Sequence, residues 1–534
     1  MKLGIMMMKR LIAMSTLMLA LSSPGRFAHA DDLAQQVARL TVQTEQLQQQ
    51  LQHLQTQLAN TSSGKVTKEV IKPIAPAGVT RSPKVQPDPS VHDSQVIVRA
   101  MEIDPESVDF YPTALVADGR VLTYIAGTPV VTSPYLGSRP AFDGSDYIVN
   151  ISSINRDIRL LQQRRNLYRA YEREGYTAPN MPIIMLSGKA EPIGYFGQNY
   201  TNTNIGDWTF ASSELDVAAF LNDKVEAYMG IAYNQAPPQG GGQRVANSVF
   251  GLNMGFINIG DLDESPYYLT AGQLYAPFGR YSTAMVSAPL TMIFSRTRTR
   301  PLILGYKSQT DSGPFAAAYA FRTDTDLGNH TAGGLNWGYI KNADDFTGEF
   351  GLSVISSVNE AAGMQYAGAS TTADTFAGFA SINNGNEDVK KTPAGGLHTT
   401  ISFQRYNLTA EWISTINAFR AQDLSFNDQG VLGSAGQVEA GMTFMAFNRP
   451  AGLSLGYQWT NQLLALNLPQ HRFLGTFNIS IWKDTVESLE YRHDIDYGSN
   501  YFANGAAPVG MRNANTVGTG GTYDMLSAQI GVYF

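Results

Sequence analysis

From residue 183 to the end, the chain is written in period two. Segments of roughly ten residues alternate apolar with small or polar side chains, the length and pattern of a strand that meets lipid on one face only. In 223–234, Val225, Ala227, Met229, Ile231 and Tyr233 fall on one face, and 347–358 and 436–447 repeat the pattern. The last segment is the cleanest: Leu526, Ala528, Ile530, Val532 and Phe534 alternate with Ser527, Gln529 and Gly531. An apolar face closed by a terminal ring suits a final transmembrane strand. The alternative is the last strand of a soluble sandwich.

Further segments lie near 183–197, 208–220, 245–260, 267–276, 301–309, 313–322, 332–342, 374–383, 397–407, 408–417, 451–459, 470–482 and 485–494. With the four above they number about 17, and a single-chain bacterial barrel favours an even count. The sequence therefore predicts an all-β fold, a transmembrane antiparallel β-barrel of about 16 strands over 183–534, with 14 and 18 open. Downstream of the N-terminus there is no apolar run long enough for a spanning helix, so a membrane reading requires a closed barrel.

Four segments precede the barrel. Residues 1–30 read as a secretory signal peptide, with Lys2, Lys9 and Arg10, a short apolar stretch over 11–21, and an Ala28-His29-Ala30 cleavage site. Residues 31–60 carry a heptad seam, Leu33, Leu40, Leu47 and Leu54 on one position and Val37, Thr44, Leu51 and Leu58 on the other. Its flanks are nearly all neutral, so charge pairing does not set its partner. A short periplasmic coiled coil, with a homotrimer as one form, buries the seam; the alternative is a lone amphipathic helix packed on its own barrel. Residues 61–95, with five prolines, read as a linker. Residues 96–182 form a small module, either a plug within the barrel or a periplasmic domain beneath it. It has short strands near 96–98, 120–126 and 147–151, and a helix over about 153–173. That helix carries Arg156, Arg159, Arg164, Arg165, Arg169 and Arg173; a solvated basic face is the commoner outcome, and an anionic substrate or lipid the other.

Composition narrows the function. A formal net charge of −7 speaks against nucleic acid. With no cysteine, thiolate metal sites, disulfides and a lipidated N-terminal cysteine are excluded. The seven histidines show no ligand spacing, so neither cofactor nor metal is expected. Gly452-Leu453-Ser454-Leu455-Gly456 matches the nucleophile-elbow string but sits inside an alternating segment with no helix after it; chance is the better account, and no enzyme is expected. The acidic clusters Asp261-Leu262-Asp263-Glu264 and Asp324-Thr325-Asp326 read as solvated turns before weak cation sites.

The residues singled out for function are basic. Over 295–300 the chain reads SRTRTR, and an extended backbone sets Arg296, Arg298 and Arg300 on one face, with Arg280 upstream as a weaker member. Guanidiniums facing lipid cost several kcal/mol, so the row belongs to the lumen or a loop. In the lumen it selects anions, because guanidinium pairs bidentately with carboxylate and phosphate. The equal alternatives are a rim patch on lipopolysaccharide phosphates and a brace for an inward loop.

Residues 271–291 (AGQLYAPFGRYSTAMVSAPLT) resemble a segment of the outer-membrane siderophore porins typified by the legiobactin receptor, a group with related iron-uptake proteins in intracellular pathogens. Residues 142–163 resemble the stretch before the barrel in that family, and the coiled-coil start and terminal Phe agree with it. Ala288 departs from the pattern, which has an acidic residue before the proline. The resemblance implies an outer-membrane protein that passes a ferric siderophore without an energy-coupled plug. A general or phosphate-selective anion porin shares the fold and the basic row, and a surface adhesin using a loop over 359–396 is a third reading.

Overall fold

The computed structural model describes residues 121–125, 128–132, 155–173 and 182–533, apart from breaks at 211–212, 235–248, 311, 327, 344–345, 362, 365–388, 483–484 and 505–516. The signal peptide, coiled coil and linker lie outside the described residues, as do the segments at 96–98, 147–151 and 374–383 and the terminal Phe534. No described helix is long and apolar enough to cross a membrane.

The first elements are a hairpin of β1 (Val121–Ile125) and β2 (Thr128–Thr132) and the helix α1 (Arg156–Arg173). Next come β3 (Ile183–Ala190), β4 (Ile193–Gln198), β5 (Asn204–Thr209), β6 (Glu214–Phe220), β7 (Val225–Asn234), β8 (Val249–Ile259) and β9 (Tyr267–Tyr275). A long excursion carries the short helix α2 (Leu290–Ser295) and β10 (Arg298–Thr299). The wall resumes with β11 (Leu302–Lys307), β12 (Gly313–Arg322), β13 (Thr331–Ala343), β14 (Phe346–Ile355), β15 (Ala394–Phe403) and β16 (Tyr406–Thr415). After β17 (Ser425–Phe426) and β18 (Gln429–Gly430) it continues through β19 (Ser434–Ala446), β20 (Arg449–Asn461), β21 (His471–Ile479), β22 (Thr485–Ile495), β23 (Ala503–Asn504) and β24 (Thr522–Tyr533).

β3 runs on through Pro192 into β4, and these pair with β6 and β5 in turn, so the four pieces make one long hairpin, two strands of the wall. Each later wall strand pairs antiparallel with the next, and β24 closes the cylinder on β3 and β4. The result is a closed barrel of 16 strands. The segments read from period two correspond to these strands, except 374–383. Near the seam, β24 ends opposite Lys189, and β2 pairs in parallel with the remaining edge of β3 at Ile184–Leu186.

One end of the cylinder has short turns, at 221–224, 260–266, 308–312, 404–405 and 447–448 among others. Phe447 and Asn448 both take positive φ, 52° and 58°, the tight-turn geometry whose twist matches that of the flanking strands. The other end carries the long connections, 276–301, 356–393, 416–433 and 496–521. There β17, β18 and β23 pair into a small sheet, with Phe426 stacked on Tyr501 at 5.4 Å and Leu463, Leu464 and Leu466 buried alongside.

The outward positions are apolar and open: Leu304 is 60% exposed and Leu455 63%, with Leu335, Trp337, Trp412 and Ile530 in the same belt. The inward positions of the same strands are polar, among them Asp216, Glu226, Asn258, Glu411, Gln437, Glu439, Gln458 and Glu490. This inside-out distribution fits lipid outside and a polar lumen within. GxSxG falls in the middle of β20, with Ser454 buried in the wall and no strand-to-helix turn.

Candidate channel constriction

The excursion between β9 and β11 folds into the barrel, and the wall holds it with carboxylates. Gly279 (φ 72°) begins the turn; its N–H donates to Ser353 Oγ at 2.9 Å, and a Cβ there would strike the Tyr281 ring. The outgoing limb then meets four glutamates in succession. Glu349 on β14 pairs with Arg280 Nε at 3.1 Å and accepts from His398 Nε2 at the same distance. Glu411 on β16 accepts from the Arg280 N–H at 2.5 Å, the Tyr281 N–H at 3.2 Å and the Thr291 hydroxyl at 2.7 Å. Glu439 on β19 takes the Thr283 hydroxyl at 2.7 Å and the Ala284 N–H at 3.0 Å. Glu490 on β22 takes the Val286 N–H at 2.6 Å and both the N–H and hydroxyl of Ser287. On the way back the Leu290 N–H donates to Gln458, and α2 packs beneath β16, β19 and β20.

Polypeptide inside a pore has no ladder to satisfy its N–H groups, so something in the wall must accept them. A charged acceptor strengthens such a bond. The loop therefore runs along the inside of the wall from β14 to β22 as a shelf.

The basic residues separate into two groups. β10 pairs with Tyr275 and Leu274 of β9, so the SRTRTR segment is extended where it meets the wall. The Arg296 guanidinium lies over the Tyr275 ring at 4.5 Å. Arg298 donates to Asn253 Oδ1 at 2.9 Å, and Asn253 in turn reaches Glu214, an inward residue of β6. Arg298 and Arg300 stay exposed. Arg280 does not join them. It is 4% exposed and ion-paired with Glu349, so it braces the loop.

The helix α1 lies against the inward faces of β7, β8 and β9. Arg156 donates to the Tyr228 hydroxyl, which donates to Asp216. Asp157 accepts from the Thr270 hydroxyl at 3.2 Å, and its carbonyl accepts from Asn258. Arg164 pairs with Glu226 at 3.3 Å and donates to the Gly260 carbonyl, and Arg165 donates to the Gln309 carbonyl at 3.2 Å. The expectation of a solvated basic face is thus corrected: Arg156, Arg159, Arg164 and Arg165 are buried, because the surface opposite them is itself polar and acidic. Among the described arginine side chains of α1, Arg169, paired with Asp263 at 2.6 Å, is the one open to water.

The acidic turns divide. Asp263 and Glu264 are occupied by Arg169 and Lys224 in an exposed turn. Asp326 is fully buried and accepts from Ser357 and Asn359, so the solvated reading of the second cluster is corrected at Asp326, while Asp324 stays exposed. No cluster of potential metal ligands occurs among the described residues. The four loop-holding glutamates were missed in the sequence. Their signal was available: a lone acid at an inward position of an otherwise apolar strand needs a polar partner, but nothing in linear order says which.

Strand closure, an apolar exterior and a pinned inward loop define a membrane-spanning β-barrel with a built-in constriction. The chain belongs to the UPF0422 protein family. It is 64% identical over 445 residues to a UPF0422 protein of Legionella pneumophila strain Philadelphia 1, covering 83% of this chain and 84% of that relative. To a UPF0422 protein of Coxiella burnetii strain RSA 493 it is 33% identical over 407 residues, covering 75% and 83%. No family model matches. Solved structures similar in fold include the outer-membrane channel DcaP of Acinetobacter baumannii, with TM-score 0.41, 10% identity, and coverage of 67% of this chain and 99% of that one. Another is an anion-selective porin from Comamonas acidovorans, with TM-score 0.41, 9% identity, and coverage of 66% and 100%.

Proposed function

We propose that this protein is an outer-membrane channel that admits a small anionic solute, a ferric siderophore or a similar anionic iron complex. The single observation that carries the reading is the basic row. Arg298 and Arg300 are exposed on the returning end of the inward loop, while Arg280 on its outgoing limb is consumed by Glu349. An uncancelled guanidinium next to a constriction lowers the barrier for anions and raises it for cations. In this reading residues 1–30 direct export, 31–60 form a periplasmic coiled coil, and α1 acts as a plug at the turn end.

The test of anion selection replaces Arg296, Arg298 and Arg300 together by Gln and measures reversal potentials in planar bilayers under a KCl gradient. Anion preference falls in the variant; an unchanged reversal potential sinks the row. A general or phosphate-selective anion porin rests on the same row. Growth of a deletion strain on iron-limited medium with purified siderophore separates the two, since only the siderophore reading expects a defect that the wild-type gene repairs.

A further inference from the structure

A second basic group lies in the lumen, on strands that the row does not touch. Arg472 on β21 grips Asp494 on β22 with two parallel hydrogen bonds, Nε to Oδ1 at 2.8 Å and Nη2 to Oδ2 at 3.1 Å. That pair is complete. Arg492, two residues before Asp494 and so on the same inward face, adds a second guanidinium, its Nε 3.2 Å from Oδ2. Two cations thus share this one carboxylate, while the neighbouring acids are engaged elsewhere, Glu490 with the inward loop and Asp496 with the Thr519 N–H and hydroxyl.

Its surroundings suit a ligand. The Arg492 guanidinium lies 4.6 Å over the centroid of the Tyr523 ring, and Tyr200 packs against Tyr523 at 5.6 Å. The ring fixes the plane of the guanidinium while leaving the edge free. Arg492's terminal Nη groups donate to no described residue, and its side chain is 17% exposed. Arg472 Nη1 also donates to the Ala288 carbonyl at 3.2 Å, which places the cluster against the tip of the inward loop. Tyr523 belongs to β24, the first wall strand beyond those that anchor the loop. Ala288 itself adds no acid to the cluster.

We infer that Arg492, stacked on Tyr523 and backed by the Arg472–Asp494 pair, forms a second anion-binding station in the lumen, taking a carboxylate group of the solute. A planar, pre-oriented guanidinium edge matches the two oxygens of a carboxylate. The inference deepens the anion-channel reading and names the chemistry that the solute must carry.

The test uses the full mature chain in detergent micelles, with citrate as the probe, titrated calorimetrically at low ionic strength. Wild type binds citrate; Arg492→Gln lowers the affinity about tenfold or more, and Arg492→Lys, which keeps charge but loses the planar edge, falls between. Heat-modifiable gel mobility reports whether each variant folds. Should Arg492→Gln not fold, Tyr523→Leu removes the stacking ring with the ion pairs intact and is expected to weaken citrate severalfold. Citrate affinity unaltered in the folded Arg492 variant, or no citrate binding by wild type, overturns the station. The triple row variant keeps the two ideas apart. Loss of citrate binding on Arg492→Gln, with reversal potential unmoved by the triple variant, leaves the station standing and removes the row.

Discussion

Glu411, Glu439 and Glu490 do in the lumen what a neighbouring strand does in the wall: they accept the N–H groups of a segment that has no ladder. Substituting Glu439 by Ala strands the Ala284 N–H and the Thr283 hydroxyl without their acceptor. Each orphaned donor costs about 1–3 kcal/mol. The expected result is a lower guanidinium midpoint in micelles and a larger, noisier single-channel conductance, with Glu439→Gln milder because its amide oxygen still accepts. Conductance unchanged in the alanine variant would show that the loop does not depend on this anchor. Arg280→Ala works from the other partner: Glu349 stays buried without its guanidinium, with His398 and Lys307 still nearby, and breaking such a pair costs about 3–5 kcal/mol. At this scale the sequence was half legible. Spacing located the SRTRTR row, since period two is local. It grouped Arg280 with that row only by proximity, because the partner that decides its role lies on a strand far along the chain.

Strands and the helix were legible for a different reason, since periodicity is written into neighbouring residues. The expected helix at 153–173 is observed as α1, Arg156–Arg173, and the odd strand at 374–383 falls outside the described residues. What periodicity does not encode is the nature of the opposite surface. Six arginines on a helix read the same whether they face water or an acidic barrel wall, and only the fold distinguishes the two. The wall's answer is specific: Glu226 and Asn258 for Arg164 and Asp157, Tyr228 for Arg156. Arg164→Ala leaves Glu226 buried without its cation and is expected to loosen the helix before the barrel, visible as faster amide exchange over 156–165 with heat-modifiability retained. Deleting 156–173 tests the plug: open-channel conductance should roughly double as free cross-section is restored. Equal conductance with and without the helix would remove α1 from the permeation path.

For the whole molecule, the deciding property is which side of each strand is oily. That was readable throughout, as the alternation of the last strand shows: Ala528, Ile530 and Val532 face out while Ser527 and Gly531 are buried within. The inward loop was not readable, because its residues keep no period and its anchors are distributed over four strands. Leu455 lies at the middle of β20 and 63% open to the exterior. Leu455→Arg should cost about 2–4 kcal/mol in reversible folding into lipid vesicles. The same substitution at Ser454, one residue away and facing inward, would instead change ion flow. If Leu455→Arg proves neutral, this face does not meet hydrocarbon.

The last feature to draw out is how closely α1 is joined to the wall that surrounds it. The helix ends at Arg173, and β3 begins at Ile183. Even at full stretch, a link of that length reaches only about 30 Å. The helix is on a leash: it can tip out of its seat but not drift away. Tethered this closely, it would revisit its seat at an effective concentration on the order of millimolar. Any opening at that end would therefore be brief and self-healing, with the stopper returned by the same molecule that released it.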